Sequence, residues 1–201
     1  AQIQKHLEKI QLHLPKYSEL SIYEIQDNPD DSLSPVFKMC NPGNGSDIGN
    51  WEQLASNQDQ IKTRYDDEFA SKLEKTMENM LLPSIEDTSP IFQMIKVVSV
   101  KAFPMKKTKH GNHLVIISDM LHNSDSYSHY NSKPNIKSFE KNDFYKEVHT
   151  DLNKAKVTVL YVWRKNTAQH QDNNHKNFWA SVFVDLFNAN KKTKNFFTII
   201  N

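Results

Sequence analysis

Two apolar runs limit the folds open to this chain more than any other feature: HLVIIS at 113–118 and KVTVLYVW at 156–163. Neither alternates apolar with polar residues at the period of two that a strand with one wet face requires. Each therefore reads as a strand covered on both faces, as in a parallel sheet. Parallel strands need long crossovers, and the neighbouring sequence supplies helical spacing for them. Ile91, Ile95, Val98 and Ala102 mark a helix over 90–103, and Trp179, Val182, Phe183 and Leu186 mark one over 176–189. Phe69, Leu73, Met77 and Met80 mark another near 66–81, ended by Pro83, while Ile3, Leu7, Ile10 and Leu14 open the chain with a helix that stops before Pro15. LSIYEI at 20–25 and NFFTII at 195–200 read as further strands. The expectation is an α/β fold with 113–118 at the centre of a mostly parallel sheet, 20–25, 156–163 and 195–200 beside it, and helices on both sides.

At 201 residues the chain suits one substantial core, so residues 1–201 are read as a single domain. Within it, 27–60 accumulates Asn, Asp, Ser, Pro and Gly around VFKMC, which suits a brief edge strand in an otherwise irregular loop or insertion. Lys and Arg total 25 against 24 Asp and Glu, and the net charge of +1 gives no global pull toward nucleic acid or anionic lipid. The short basic runs KKTKH (106–110) and KKTK (191–194) read as solvated connections, so nucleic acid is not an expected partner. The four glycines, at 43, 45, 49 and 111, form neither GxGxxG nor a phosphate-binding loop. A lone Cys40 excludes an intrachain disulfide and a cysteine zinc cage. No run approaches the roughly 18 apolar residues of a membrane helix, so no membrane insertion is expected and a soluble domain is. Its compartment, cytoplasmic or exported, depends on what precedes Ala1.

The chemistry concentrates just past the first apolar run, in SDMLHNSDSYSHY at 118–130. Ligands of open parallel sheets bind beyond the carboxyl ends of the strands, which is where Asp119 falls. The helix start at Ser89-Pro90 can face the same edge with a hydroxyl and free backbone N–H groups. A carboxylate and a hydroxyl converging with water form an oxygen-only environment suited to Mg²⁺ rather than zinc. Structural roles compete for the same residues. Ser89 can simply cap its helix, and Asp119 can cap the following turn. His122 and His129 lie in a polar loop that solvates them without chemistry, and Phe178 and Trp179 read as core anchors. His170 and His175, five apart, lack the spacing and the Glu of HExxH.

The sequence of an amphipathic helix, LSIYEI, a TSPI helix start, LVIISD, VTVLYVW, a long helix and a last strand resembles a von Willebrand factor A-like domain over most of the chain. MCNPGNGSD, SPIFQMI and HKNFWASVF are similar to a divergent bacterial subgroup. The resemblance implies a Rossmann-like three-layer α/β/α sandwich. It also implies a metal-ion-dependent adhesion site, in which an Asp-x-Ser-x-Ser loop after the first strand, a Thr at a later helix start and a strand-ending Asp hold Mg²⁺ or Mn²⁺. Ser89, with Thr88 beside it, matches the Thr, and Asp119 matches the Asp; Met120 stands where the family has Gly. The first strand and its loop are expected before Ala1, between 20–25 and 113–118, which leaves an incomplete metal site. The function implied is a protein-interaction module of adhesion or scaffold type, binding a protein partner through a rim of Ser118, His122, Asn123 and Ser124. The alternative is a metal-dependent hydrolase or phosphoryl-transfer enzyme, with Asp119 as metal ligand or nucleophile and His122 as acid–base.

Overall fold

The amphipathic opening forms helix α1 (Gln2–Leu12), followed by strand β1 (Glu19–Ile22), in a computed structural model that describes residues 2–27, 29–30, 32–45, 58–80, 88–103, 111–192 and 196–200. Strand β1 pairs antiparallel with β2 (Phe37–Cys40), the short strand expected within 27–60. The expectation that 20–25 joins the sheet of 113–118 is corrected here: β1 and β2 make a separate two-stranded sheet. Their alternation explains it. Leu20 lies opposite Met39 and Ile22 opposite Phe37, so one face is apolar, and all four pack in one cluster. Helix α2 runs without a break from Gln58–Arg64 through a π-helical turn at Tyr65–Ala70 to Ser71–Met80. It starts earlier than the apolar spacing indicated, because its first two turns are largely polar. Phe69, Leu73 and Met77, four apart, present the buried stripe to Phe37. These elements belong to one compact unit, built from Ile3–Glu24 and Ser34–Ile85.

The second unit is built from Ile25–Leu33 and Glu86–Asn201. Its elements are α3 (Ile91–Ala102), β3 (His113–Ser118), α4 (Ile136–Glu140), α5 (Asp143–Val148), β4 (Lys156–Val162), α6 (Asn173–Ser181, continued by a π-helical turn at Val182–Leu186) and β5 (Phe197–Ile200). Strands β3, β4 and β5 form a parallel sheet in that order, with His113 opposite Lys156 and Val159 opposite Phe197. The mixed α/β class and the parallel pairing hold. The position of 113–118 does not: β4 is the middle strand, and β3 has a single strand neighbour among the described residues. Burial separates the two runs where apolarity could not. Val157, Val159, Leu160 and Tyr161 are buried on β4, whereas β3 contributes only partly buried side chains and leaves Ile117 exposed.

The core of this unit is aromatic. Phe92 of α3 stacks on Trp179 of α6 at a ring separation of 4.4 Å and on Phe139 of α4 at 4.7 Å, over the β4 side chains Val157, Val159 and Tyr161. Aromatic contacts of this kind contribute about 0.5–1.5 kcal/mol each beyond the area they bury. Helices α4 and α5 had no clear apolar period, being one to two turns long. Asn135 and Asn142 define them, the side chains accepting from the N–H groups of Ser138 and Phe144.

Candidate functional site

At the carboxyl end of β3 the chain turns through Ser118-Asp119-Met120. The Met120 N–H donates to Ser118 Oγ at 2.9 Å, and the Leu121 N–H donates to Asp119 Oδ1 at 3.0 Å. Asp119 thus does cap its following turn, with one of its two oxygens. Met120 adopts a left-handed φ of 59°, unusual for a side-chain-bearing residue. Its side chain is fully buried, and its carbonyl accepts from Trp179 Nε1 at 2.9 Å.

The helix start converges on this loop as expected, but through backbone. The Ser89 N–H donates to the Asn123 carbonyl at 2.8 Å, the Ser89 carbonyl accepts from the Asn123 N–H at 3.0 Å, and Asn123 bridges onward to Ser128. No side chain caps α3: Pro90 occupies the cap, and the Ser89 carbonyl accepts from Ile91 N–H. The Thr88 hydroxyl donates to Asp27 Oδ1 at 2.5 Å. Ser124 Oγ is engaged by Tyr127 and lies 3.1 Å from His122 Nε2. Of the residues assigned to a partner rim, Ser118, Asn123 and Ser124 therefore hold the loop together. His122 is completely buried, its ring set against Phe92 and Phe144.

The second oxygen of Asp119 meets Arg164, Nη1 to Oδ2, at 3.4 Å. Only 9% of the Asp119 side chain is exposed against 57% of Arg164. Burial raises the carboxyl above its ordinary value, while the Leu121 N–H and the Arg164 charge oppose that rise. Arg164 is placed by Gln171, a buried amide: its Oε1 accepts the Arg164 N–H at 2.9 Å and the Thr167 hydroxyl at 3.1 Å, and its Nε2 donates to the Val162 carbonyl at 2.8 Å and the Asp119 carbonyl at 3.3 Å. One side chain thus ties the ends of β3 and β4 together. Beside the pair, Tyr130 packs edge-on to His170 at 5.3 Å, and its hydroxyl is raised by burial and then by the Asp119 charge, with Arg164 opposing. Trp163, next in chain to Arg164, is 40% exposed.

Beneath this rim lies a histidine cluster. Tyr161 OH is 2.8 Å from His175 Nδ1, and His175 Nε2 is 3.0 Å from His129 Nδ1 and 3.1 Å from the Met120 carbonyl. His129 Nε2 is buried with no hydrogen-bond partner. Burial lowers His122 to about 3, His129 to about 2 and His175 to about 4, so all three are neutral near pH 7. His122 and His129, which a polar-loop setting would solvate, are core residues, and so is His175.

The expected ligands for Mg²⁺ or Mn²⁺ were Asp119, Ser89 and Thr88. As arranged, these donors do not fit a hard divalent ion. One Asp119 oxygen is bonded to Leu121, the other faces a guanidinium, and the Thr88 hydroxyl is turned to Asp27. Among the described residues no three His, Cys, Asp or Glu side chains converge to hold a metal, and no helix is long and apolar enough to cross a membrane. The residues that sequence reasoning missed are Tyr130, Trp163, Arg164 and Gln171. A legible signal existed for two of them, since Trp163 ends the second apolar run and Arg164 directly follows it. Gln171 carries none, because its role depends on a tertiary contact. The chain matches no family model, no curated protein and no solved structure.

Proposed function

We propose that this chain is a protein-interaction module of adhesion or scaffold type, von Willebrand factor A-like in arrangement, that docks a partner through the carboxyl-end rim of the parallel sheet. The carrying observation is exposed Arg164 set against the nearly buried Asp119, with exposed Tyr130 beside the pair and exposed Trp163 preceding Arg164 in the chain. Tyr, Trp and Arg are the residue types that dominate binding energy at protein interfaces. Single exposed aromatics are ordinary, so the weight rests on Arg164 and its nearly buried carboxylate partner. The parallel β3-β4-β5 pairing supports the family resemblance, whose finer three-layer form belongs to the same proposal, while β1, in its own antiparallel sheet, adds nothing to it. For the enzyme alternative, His122 lies inside the core rather than beside an open cleft, which leaves Asp119 without the expected acid–base partner.

The test is quantitative affinity capture with wild type, Trp163→Ala, Tyr130→Ala and Val100→Ala. Val100 is exposed toward the far end of α3, about 15 Å along the helix from its rim end. A protein retained by wild type and Val100→Ala and lost by the two rim variants is the expected result. Equal retention by all four would remove the rim as the docking surface.

A further inference from the structure

We infer that His129 is an acid-sensitive latch: one proton taken up by the His129–His175 pair frees segment 124–130 from α6 while the parallel sheet stays folded. The inference is independent of the docking proposal, because both histidines lie in the core beneath the rim. It rests on how many protons the pair can hold with partners, and on how the segment is attached.

A neutral pair carries two ring protons, and two places take them. One is His175 Nδ1, 2.8 Å from the Tyr161 hydroxyl, which can accept. The other is the 3.0 Å gap between His175 Nε2 and His129 Nδ1, where one nitrogen donates and the other accepts. This leaves His129 Nε2, buried and without a partner, as a bare lone pair, which costs less than an unmet charged donor. A third proton has no comparable place. On His129 Nε2 it makes a buried N–H with no acceptor, and in the gap it sets two N–H groups against each other. The Met120 carbonyl lies 3.1 Å from His175 Nε2, but Trp179 Nε1 already donates to it at 2.9 Å. Its remaining lone pair satisfies one of the two N–H groups and leaves the other.

The surroundings do not hold the added charge. Facing the pair are His122 and Tyr127 from the loop, Tyr161 from β4, His170 from the connection before α6, and Asp172 and Trp179 from α6. Asp172 accepts from the His175 backbone N–H and pairs with Lys133 at 3.3 Å, so its charge is already shared. The attachment of the segment favours release. His129, 1% exposed, is its deepest side chain; Asp125, Ser126 and Tyr130 are exposed and Tyr127 is half-buried. Among the described residues, the ring contact with His175 is the one hydrogen bond from 124–130 to another element. The others run within the segment or to Met120, His122 and Asn123. Expelling the ring breaks the bond from the His129 N–H to the His122 carbonyl and bares Phe178 and Trp179, whose rings lie 5.4 and 5.7 Å from it.

The experiment is amide hydrogen exchange read by NMR on the isotopically labelled full chain, each rate expressed as protection relative to the unstructured rate at the same pH. A freed histidine protonates near its ordinary value, whereas the enclosed pair refuses the proton, so opening grows as pH falls. Protection of the His129 amide should drop about tenfold from pH 6 to pH 5 and level off above pH 7. The Val159 amide of β4, which donates to the Phe196 carbonyl, should stay at least about tenfold better protected than the His129 amide over that range. His129→Phe should flatten the pH dependence at position 129. There His175 can hold both protons with partners, Tyr161 at Nδ1 and the Met120 carbonyl at Nε2. Equal protection of the two amides at every pH would mean that the segment opens only with the whole fold. That result, a His129 amide that ignores pH, or an unchanged slope in His129→Phe would each overturn the latch. The wild-type comparison of the two amides decides by itself should His129→Phe fail to fold.

Discussion

Met120 concentrates a conflict at one residue. Its φ of 59° places a side-chain-bearing residue in left-handed space, at a cost of about 1–2 kcal/mol. Its fully buried side chain and its carbonyl, which accepts from Trp179, hold it there. Truncation to Ala keeps the backbone cost and loses the packing, and should destabilise the fold by about 2–5 kcal/mol. Met120→Gly loses the same packing but relieves the backbone. The expected order of stability is therefore wild type, then Met120→Gly, then Met120→Ala, with the two variants about 1 kcal/mol apart. Urea denaturation of the three proteins reads this order directly, and Gly no more stable than Ala would show that the strain is absent. The conflict was not legible in the residues themselves, because a left-handed φ at Met120 shows only in the folded chain. What compensates it was not legible either, because Trp179 lies 59 positions away. Asp119 followed the same rule: its place at a strand end was readable from the apolar run before it, but its cation, 45 positions on, was not.

At the scale of elements, β3 shows what an apolar run can and cannot specify. HLVIIS was legible as a parallel strand with bounds that the structure reproduces, yet it lies at the edge of its three-stranded sheet. Apolarity reports that a strand is covered, and says little about how many neighbours it has. The register fixes the consequence. Lys156 N–H donates to the Asn112 carbonyl, so Leu114, Ile116 and Ser118 direct their backbone groups toward β4. His113, Val115 and Ile117 must then direct theirs away from it. Hydrogen exchange followed by NMR should show a two-residue alternation, with fast amides at 113, 115 and 117 and protected amides at 114, 116 and 118. Uniform protection along the six residues would mean that the outer edge is paired in solution. Strand β1 teaches the complementary lesson: Leu20 and Ile22 alternate with Glu19 and Ser21, a one-faced pattern that fits the antiparallel partner it has. The short helices α4 and α5 escaped the apolar period because each spans fewer than two turns, although their Asn caps were present in the sequence.

Taken as a whole, the molecule buries three histidines in the aromatic core of its larger unit, and that choice couples its stability to pH. His122, His129 and His175 are held neutral by burial, at about 3, about 2 and about 4, whereas the unfolded chain protonates them near the ordinary value of 6.5. Their folded values are depressed, so below about pH 6.5 the unfolded state binds protons that the native state refuses. Stability should accordingly fall as pH drops from about 6.5 toward about 4, by about 1.4 kcal/mol per pH unit for each such histidine. Above pH 7 this contribution is flat. The titratable and polar groups facing the pair His129 and His175 are each other, Tyr127, Tyr161, Trp179, His122 and His170, and among the described residues the carboxylate that acts on His175 is the half-exposed Asp172 at the α6 cap. His129 offers the cleanest variant, because its Nε2 already lacks a partner and a ring of similar shape leaves no new orphan there. His129→Phe should unfold in urea with a shallower pH dependence than wild type between pH 6.5 and 4.5, the difference corresponding to about one proton fewer taken up. Parallel curves for the two proteins would show that His129 is already charged in the folded state, and the buried cluster would then have to contain a counter-charge that this arrangement of side chains lacks.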